Sequence, residues 1–155
     1  YLIAQLKAGA DAVQIFDSWA SVLDESQFQR WCVKPVTEIV QLVRTMIPDA
    51  KIIGFPKGIG AFYEGYASAT EVNMLGLDWT MPMSFAQELQ KECPVQGNLD
   101  PLALIAGGEA LSEAAQSILD IFSDRPHIFN LGHGILPDTP LEHVAELLTL
   151  VRETK

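Results

Sequence analysis

Five times along this chain a short apolar run stops at a polar or glycine-rich break, and a helical pattern usually follows. The runs are residues 12–16, 52–55, 74–77, 94–96 and 128–131. Near-continuous apolar runs of this length fit parallel strands buried on both faces, because crossover helices cover both sides of such a sheet. The stretches between them are amphipathic. Leu111, Ala115, Ile118, Leu119 and Phe122 recur at helical spacing, opposite Glu109, Glu113, Gln116 and Asp120. A second stretch covers about 26–47, where Pro35 is expected to divide two helices. A third, 140–152, places Leu141, Val144, Leu148 and Val151 on one side. Thr139, Pro140 and Glu142 read as a capping box opening that helix. Gly9 is placed to close a helix before the first run. Strand followed by helix, repeated in this way, predicts an α/β fold with a parallel sheet.

The residues just after the runs carry the chemistry. They are Asp17-Ser18-Trp19, Pro56-Lys57-Gly58, Asp78-Trp79-Thr80, Asn98-Leu99-Asp100-Pro101 and Gly132-His133-Gly134. In parallel α/β sheets and barrels these segments gather at the carboxyl end of the strands, where ligands bind. Turn chemistry explains each one singly. Asp17, Asp78 and Asp100 suit turns or caps, Trp19 and Trp79 suit rim packing, and Asn98 suits a satisfied loop amide. Turns do not call for Ser18, Lys57, His133 and two tryptophans together. His133 is the sharpest candidate, since an imidazole between two glycines leaves room for a ligand.

Composition narrows the classes. The 155 residues, 48% hydrophobic, are enough for one ordinary domain with a real core. No run approaches the roughly 20 apolar residues of a membrane span, and no segment reads as a signal peptide. A net charge of −10 leaves no basic patch for nucleic acid. Cys32 and Cys93 both fall in helical patterns, so they are expected to form no disulfide and to bind no metal, which fits a reduced, cytoplasmic setting. Gly54-Phe55-Pro56-Lys57-Gly58-Ile59-Gly60 matches neither a phosphate loop nor a dinucleotide fingerprint. Ser18 has no nucleophile elbow around it.

Taken together, Ile15-Phe16-Asp17-Ser18-Trp19-Ala20, Gly76-Leu77-Asp78-Trp79, Val95-Gln96-Gly97-Asn98-Leu99-Asp100-Pro101 and Phe129-Asn130-Leu131-Gly132-His133-Gly134 resemble the uroporphyrinogen decarboxylase family. Their order and spacing match its carboxyl-terminal half from end to end, with Phe55-Pro56-Lys57-Gly58 a looser match. The resemblance implies a single (βα)8 TIM-barrel domain, of which residues 1–155 supply about five parallel βα units as a partial barrel. It also implies cofactor-independent loss of carboxyl groups from the acetate side chains of uroporphyrinogen III, giving coproporphyrinogen III in haem synthesis. A pyrrole ring is protonated, carbon dioxide leaves and the resulting carbon is reprotonated. The resemblance implies no metal and no organic cofactor, and typically a homodimer. His133 then falls on a position that hydrogen-bonds a substrate carboxylate or moves a proton, and Ser18 on one that donates a hydroxyl to a carboxylate. Lys57 is the strand-end cation available to the substrate. Asp78, Trp79, Asn98 and Asp100 are expected to act structurally at the strand ends.

A whole βα barrel takes about 250 residues. The family's arginine clamp, central aspartate and key tyrosine belong to its amino-terminal half, so this chain is expected to need that half as its partner. Two other readings remain open at this point. One is a cobamide-dependent methyltransferase of a similar barrel, although its zinc-binding His-x-Cys element is replaced here by His133-Gly134-Ile135. The other is an inactive piece that acts only by association, since an open sheet exposes its edges.

Overall fold

The computed structural model describes residues 1–153. It is an α/β structure in which five parallel strands alternate with helices. The chain divides after Gly76 into two compact units.

The first unit runs α1 (Leu2–Lys7), β1 (Val13–Asp17), α2 (Glu25–Phe28), α3 (Lys34–Met46), β2 (Ile52–Pro56), α4 (Tyr66–Thr70) and β3 (Met74–Gly76). β1 pairs with β2 from Val13↔Ile52 to Asp17↔Pro56, and β2 pairs with β3 at Ile53↔Met74, both parallel. All of β2 is buried, as its apolar run predicts. Phe28 stacks on Phe62 at 5.4 Å and tilts against Tyr66 at 5.9 Å, which packs α2 against the turn at residues 60–63 and the start of α4. The Asp24 side chain accepts from the Gln27 N–H at 2.9 Å to start α2, and this bond holds its carboxyl below the ordinary value.

Pro35 does not divide two helices as expected. It sits in the first turn of α3, and the five-residue π-turn Gln29–Val33 joins α2 to α3. A proline ring inside a helix strikes the carbonyl four residues back, here that of Trp31. A wider π-turn at that point lets the helical path continue.

The second unit runs α5 (Met83–Glu92), β4 (Val95–Leu99), α6 (Pro101–Ala106), α7 (Gly108–Ile121), β5 (His127–Leu131) and α8 (Leu141–Glu153). β4 and β5 pair in parallel from Val95↔His127 to Leu99↔Leu131. α7 buries Leu111, Ala115 and Ile118 on the face its spacing predicts, and Phe122 just beyond it is buried too.

Several sequence expectations are corrected in this unit. The run at 94–96 is the start of a longer strand, so Asn98 lies inside β4 rather than in a loop after it. Cys93 is not helical: it follows α5 in extended conformation and leads into β4. The run at 128–131 is not buried on both faces, for β5 alternates half-buried and exposed residues. Thr139 and Glu142 form no capping box. α8 begins at Leu141, and the Thr139 hydroxyl is buried without a hydrogen-bond partner. Leu141 is 83% exposed, while Leu147 carries the buried contact of α8.

Candidate active site

The two units are built differently at their strand ends. In the first, the loop after β2 leans on the turn after β1. The Lys57 backbone N–H donates to the Asp17 carbonyl at 3.0 Å, and a Cβ on Gly58 would lie 2.9 Å from that of Ser21. Gly58 has φ +74, so glycine meets both the conformation and the close approach. Ser18 is exposed and Lys57 half-buried, so a hydroxyl donor and a cation occupy neighbouring turns. Asp17 lies next to Cys32. Burial pushes the Cys32 thiol up to about 12, and its hydrogen bond to the Asp17 carboxylate pushes in the same direction. A buried thiol held protonated in this way is neither a nucleophile nor a ready metal ligand.

In the second unit a buried turn links three segments. Asp78, 1% exposed, accepts from the Thr80 N–H at 2.9 Å and from the Thr80 hydroxyl through the same carboxylate oxygen. Asn98, 4% exposed, donates from Nδ2 to the Asp78 carbonyl at 3.1 Å, while its Oδ1 is buried without a partner. The Leu77 N–H donates to the Gln96 carbonyl at 2.8 Å, so residues 77–78 run along one edge of β4. Gly132 presses on the same turn. A Cβ there would lie 2.4 Å from the Trp79 nitrogen, and its own N–H donates to the Leu99 carbonyl at 2.7 Å.

His133 follows directly and is exposed. On its far side, a Cβ added to Gly134 would meet nothing within 4 Å, so that flank is open. The Trp79 and His133 rings lie 6.3 Å apart at 31°. Asp100 does not join this group: its side chain accepts from the Leu102 N–H at 2.8 Å and starts α6. A cleft of about 310 Å³ opens beside His133, between β5 and α8, but Phe129, Leu131, Ile135, Val144 and Leu147 make it apolar. It suits a packing partner better than a carboxylate-rich ligand.

Three features escaped the sequence reading. One is the Trp79–His133 ring pair, which joins segments far apart in the chain. The second is the β4–β5 register, which places Asn98 opposite Asn130 and Gln96 opposite Ile128, so that carboxamides share one face. The third is His127 at the other end of β5, wedged 4.6 Å from Phe122 and bonded through Nε2 to the Gly97 carbonyl at 2.7 Å. Burial holds its pKa below the ordinary value. Only Gly132, a glycine wedged between an apolar strand and a histidine, offered a local signal of the close approach behind the first. Among the described residues, no three His, Cys, Asp or Glu side chains converge to hold a metal ion, and no helix is long and apolar enough to cross a membrane.

The uroporphyrinogen decarboxylase (URO-D) family profile matches residues 1–154. Proteins named uroporphyrinogen decarboxylase from Brucella canis, Brucella suis and Brucella abortus are each 58% identical over 155 residues, 100% of this chain. The chain spans 46% of the length of those relatives. Its parallel strand–helix repeats are those of a TIM-barrel family, and the match runs through every strand-end segment described above. The chain belongs to the uroporphyrinogen decarboxylase family.

Proposed function

We propose that residues 1–155 form the carboxyl-terminal part of a single (βα)8 domain that decarboxylates uroporphyrinogen III to coproporphyrinogen III. The observation that carries this reading is the 58% identity over the whole chain. His133 supplies a hydrogen bond to a substrate carboxylate or a proton route, from an exposed, glycine-flanked position at the end of β5. Ser18 donates its hydroxyl to a carboxylate, and Lys57 adds a cation. Asp78, Asn98 and Asp100 hold the scaffold. No metal or organic cofactor takes part, and the complete protein works as a cytoplasmic homodimer.

Ten Lys and Arg against twenty Asp and Glu are a poor match for a polycarboxylate. Gripping the substrate and stabilising the cationic pyrrole therefore fall to the amino-terminal half of the barrel, which is this chain's first partner. Joining the amino-terminal part of a Brucella relative to this chain tests the reading. The completed enzyme is expected to form coproporphyrinogen, and the 155-residue chain alone none. A folded chimera without turnover would overturn the assignment of activity, and product from the chain alone would overturn the divided site.

A further inference from the structure

His133 is held by its sequence neighbours hardly at all. Gly132 and Gly134 have no side chains to confine it, and the imidazole is exposed. Trp79 is the opposite. Its backbone belongs to the turn that Asp78 ties through Thr80, that Asn98 holds by the Asp78 carbonyl, and that Gly132 closes at contact distance. The indole therefore projects from one of the most constrained points of this unit. It lies 6.3 Å from the imidazole and only 31° from parallel, within the range in which aromatic rings attract.

We infer that Trp79 is a positioning residue: its indole, carried on that restrained backbone, sets the direction in which His133 presents its ring nitrogens. This rests on the reading of His133 as a substrate-contacting group. A hydrogen bond to a carboxylate is directional, so an imidazole free to swing about its Cα–Cβ bond loses much of its effect. The close approach of Gly132 serves the same purpose. It brings the β5 end against the Asp78–Trp79 peptide, and without it the two rings would separate.

The test uses the completed enzyme with isotope-labelled histidine, with His133→Asn identifying the His133 ring signals. Trp79→Leu is expected to lower kcat about tenfold or more, the scale of a misplaced catalytic group. KM should change far less, and Trp79→Phe should recover most of the rate. The His133 ring-proton signals should move downfield in Trp79→Leu as the indole ring current is lost, and part of the way in Trp79→Phe. Unmoved signals in both variants would overturn the proposal, as would a rate loss that Trp79→Phe fails to recover. Should Trp79→Leu not fold, the signals and rate of Trp79→Phe decide. Absence of turnover in the unsubstituted, folded enzyme would count against the function above, while the ring-proton signals would still report on the pairing.

Discussion

β4 and β5 lie side by side and reverse what their composition leads one to expect. Val95-Gln96-Gly97-Asn98-Leu99 contains two carboxamides and a glycine, yet every residue is buried. His127-Ile128-Phe129-Asn130-Leu131 is the more apolar, yet it alternates half-buried and exposed, with Ile128 45% exposed. The difference lies in neighbours. β4 has β5 along one edge, residues 77–78 along the other, and α5 and α7 against it. Asn98 goes inside with its Nδ2 donating to the Asp78 carbonyl, although its Oδ1 stays without a partner. β5 ends the strand order, with the α8 cleft on one side and water over Ile128 and Asn130. Phe16, 64% exposed on β1, is in the same state at the other end of the order. Exposed apolar residues on such edges suit a cover, a place that the proposed function gives to the remainder of the barrel.

The contrast is between a strand that holds structure and a strand end to which the proposed function assigns chemistry, and the largest expected effect lies at the second. His133→Asn in the completed enzyme should slow decarboxylation by about 10²–10⁴-fold without abolishing it, while the melting temperature stays put. Steady-state rates beside a thermal melt check this, and a rate loss matched by unfolding would place His133 with the scaffold.

The two glycines flanking His133 sharpen the line between the regions. Gly132→Ala puts a methyl 2.4 Å from the Trp79 nitrogen and should cost about 1–3 kcal/mol, as overpacking does. Gly134→Ala, with open space around it, should stay within about 0.5 kcal/mol. Urea denaturation of the two variants compares them, and equal effects would erase the boundary.

Asn98 and Asn130 are register partners on the two strands. Asn98→Ala takes the Nδ2 donor from the buried Asp78 carbonyl, leaving it the longer bond from the Met81 N–H at 3.3 Å, and should cost about 0.5–1.5 kcal/mol. Asn130→Ala, at an exposed site, should cost about 0.5 kcal/mol or less. If the order reverses, the β4–β5 contrast is wrong at its centre. Asp78→Ala, which removes the carboxylate tying Thr80, should cost about 0.5–2 kcal/mol, the range for a lost cap.

The smallest effect tests whether β5 is loosened at its buried end by pH. His127 has its folded pKa lowered by burial, so the folded state takes up a proton less readily than the unfolded one. Its contribution to stability is present in full above the ordinary value of 6.5 and is lost as pH falls through the lower folded value. Melting temperatures measured down through this window should fall more for the native sequence than for His127→Gln. Parallel curves would show that His127 is not titrating against the fold.

How much of this was legible beforehand divides by range. The repeated strands, the α7 face and the cap at Asp100 rest on periodicities and side-chain-to-backbone bonds that span a few residues. Sterics of neighbouring residues dictate such features, and the sequence alone determined them. So did the family, because order and spacing of the strand-end segments are properties of the chain itself. The tertiary structure alone decided that Asn98 goes inside while Ile128 stays out, since burial depends on which segments lie alongside. It decided that Thr139 caps nothing, that a π-turn carries the helix past Pro35, and that Trp79 meets His133. Each of these turns on the approach of groups far apart in sequence, or on where a neighbouring segment has already been placed, and no local pattern of residues encodes that approach.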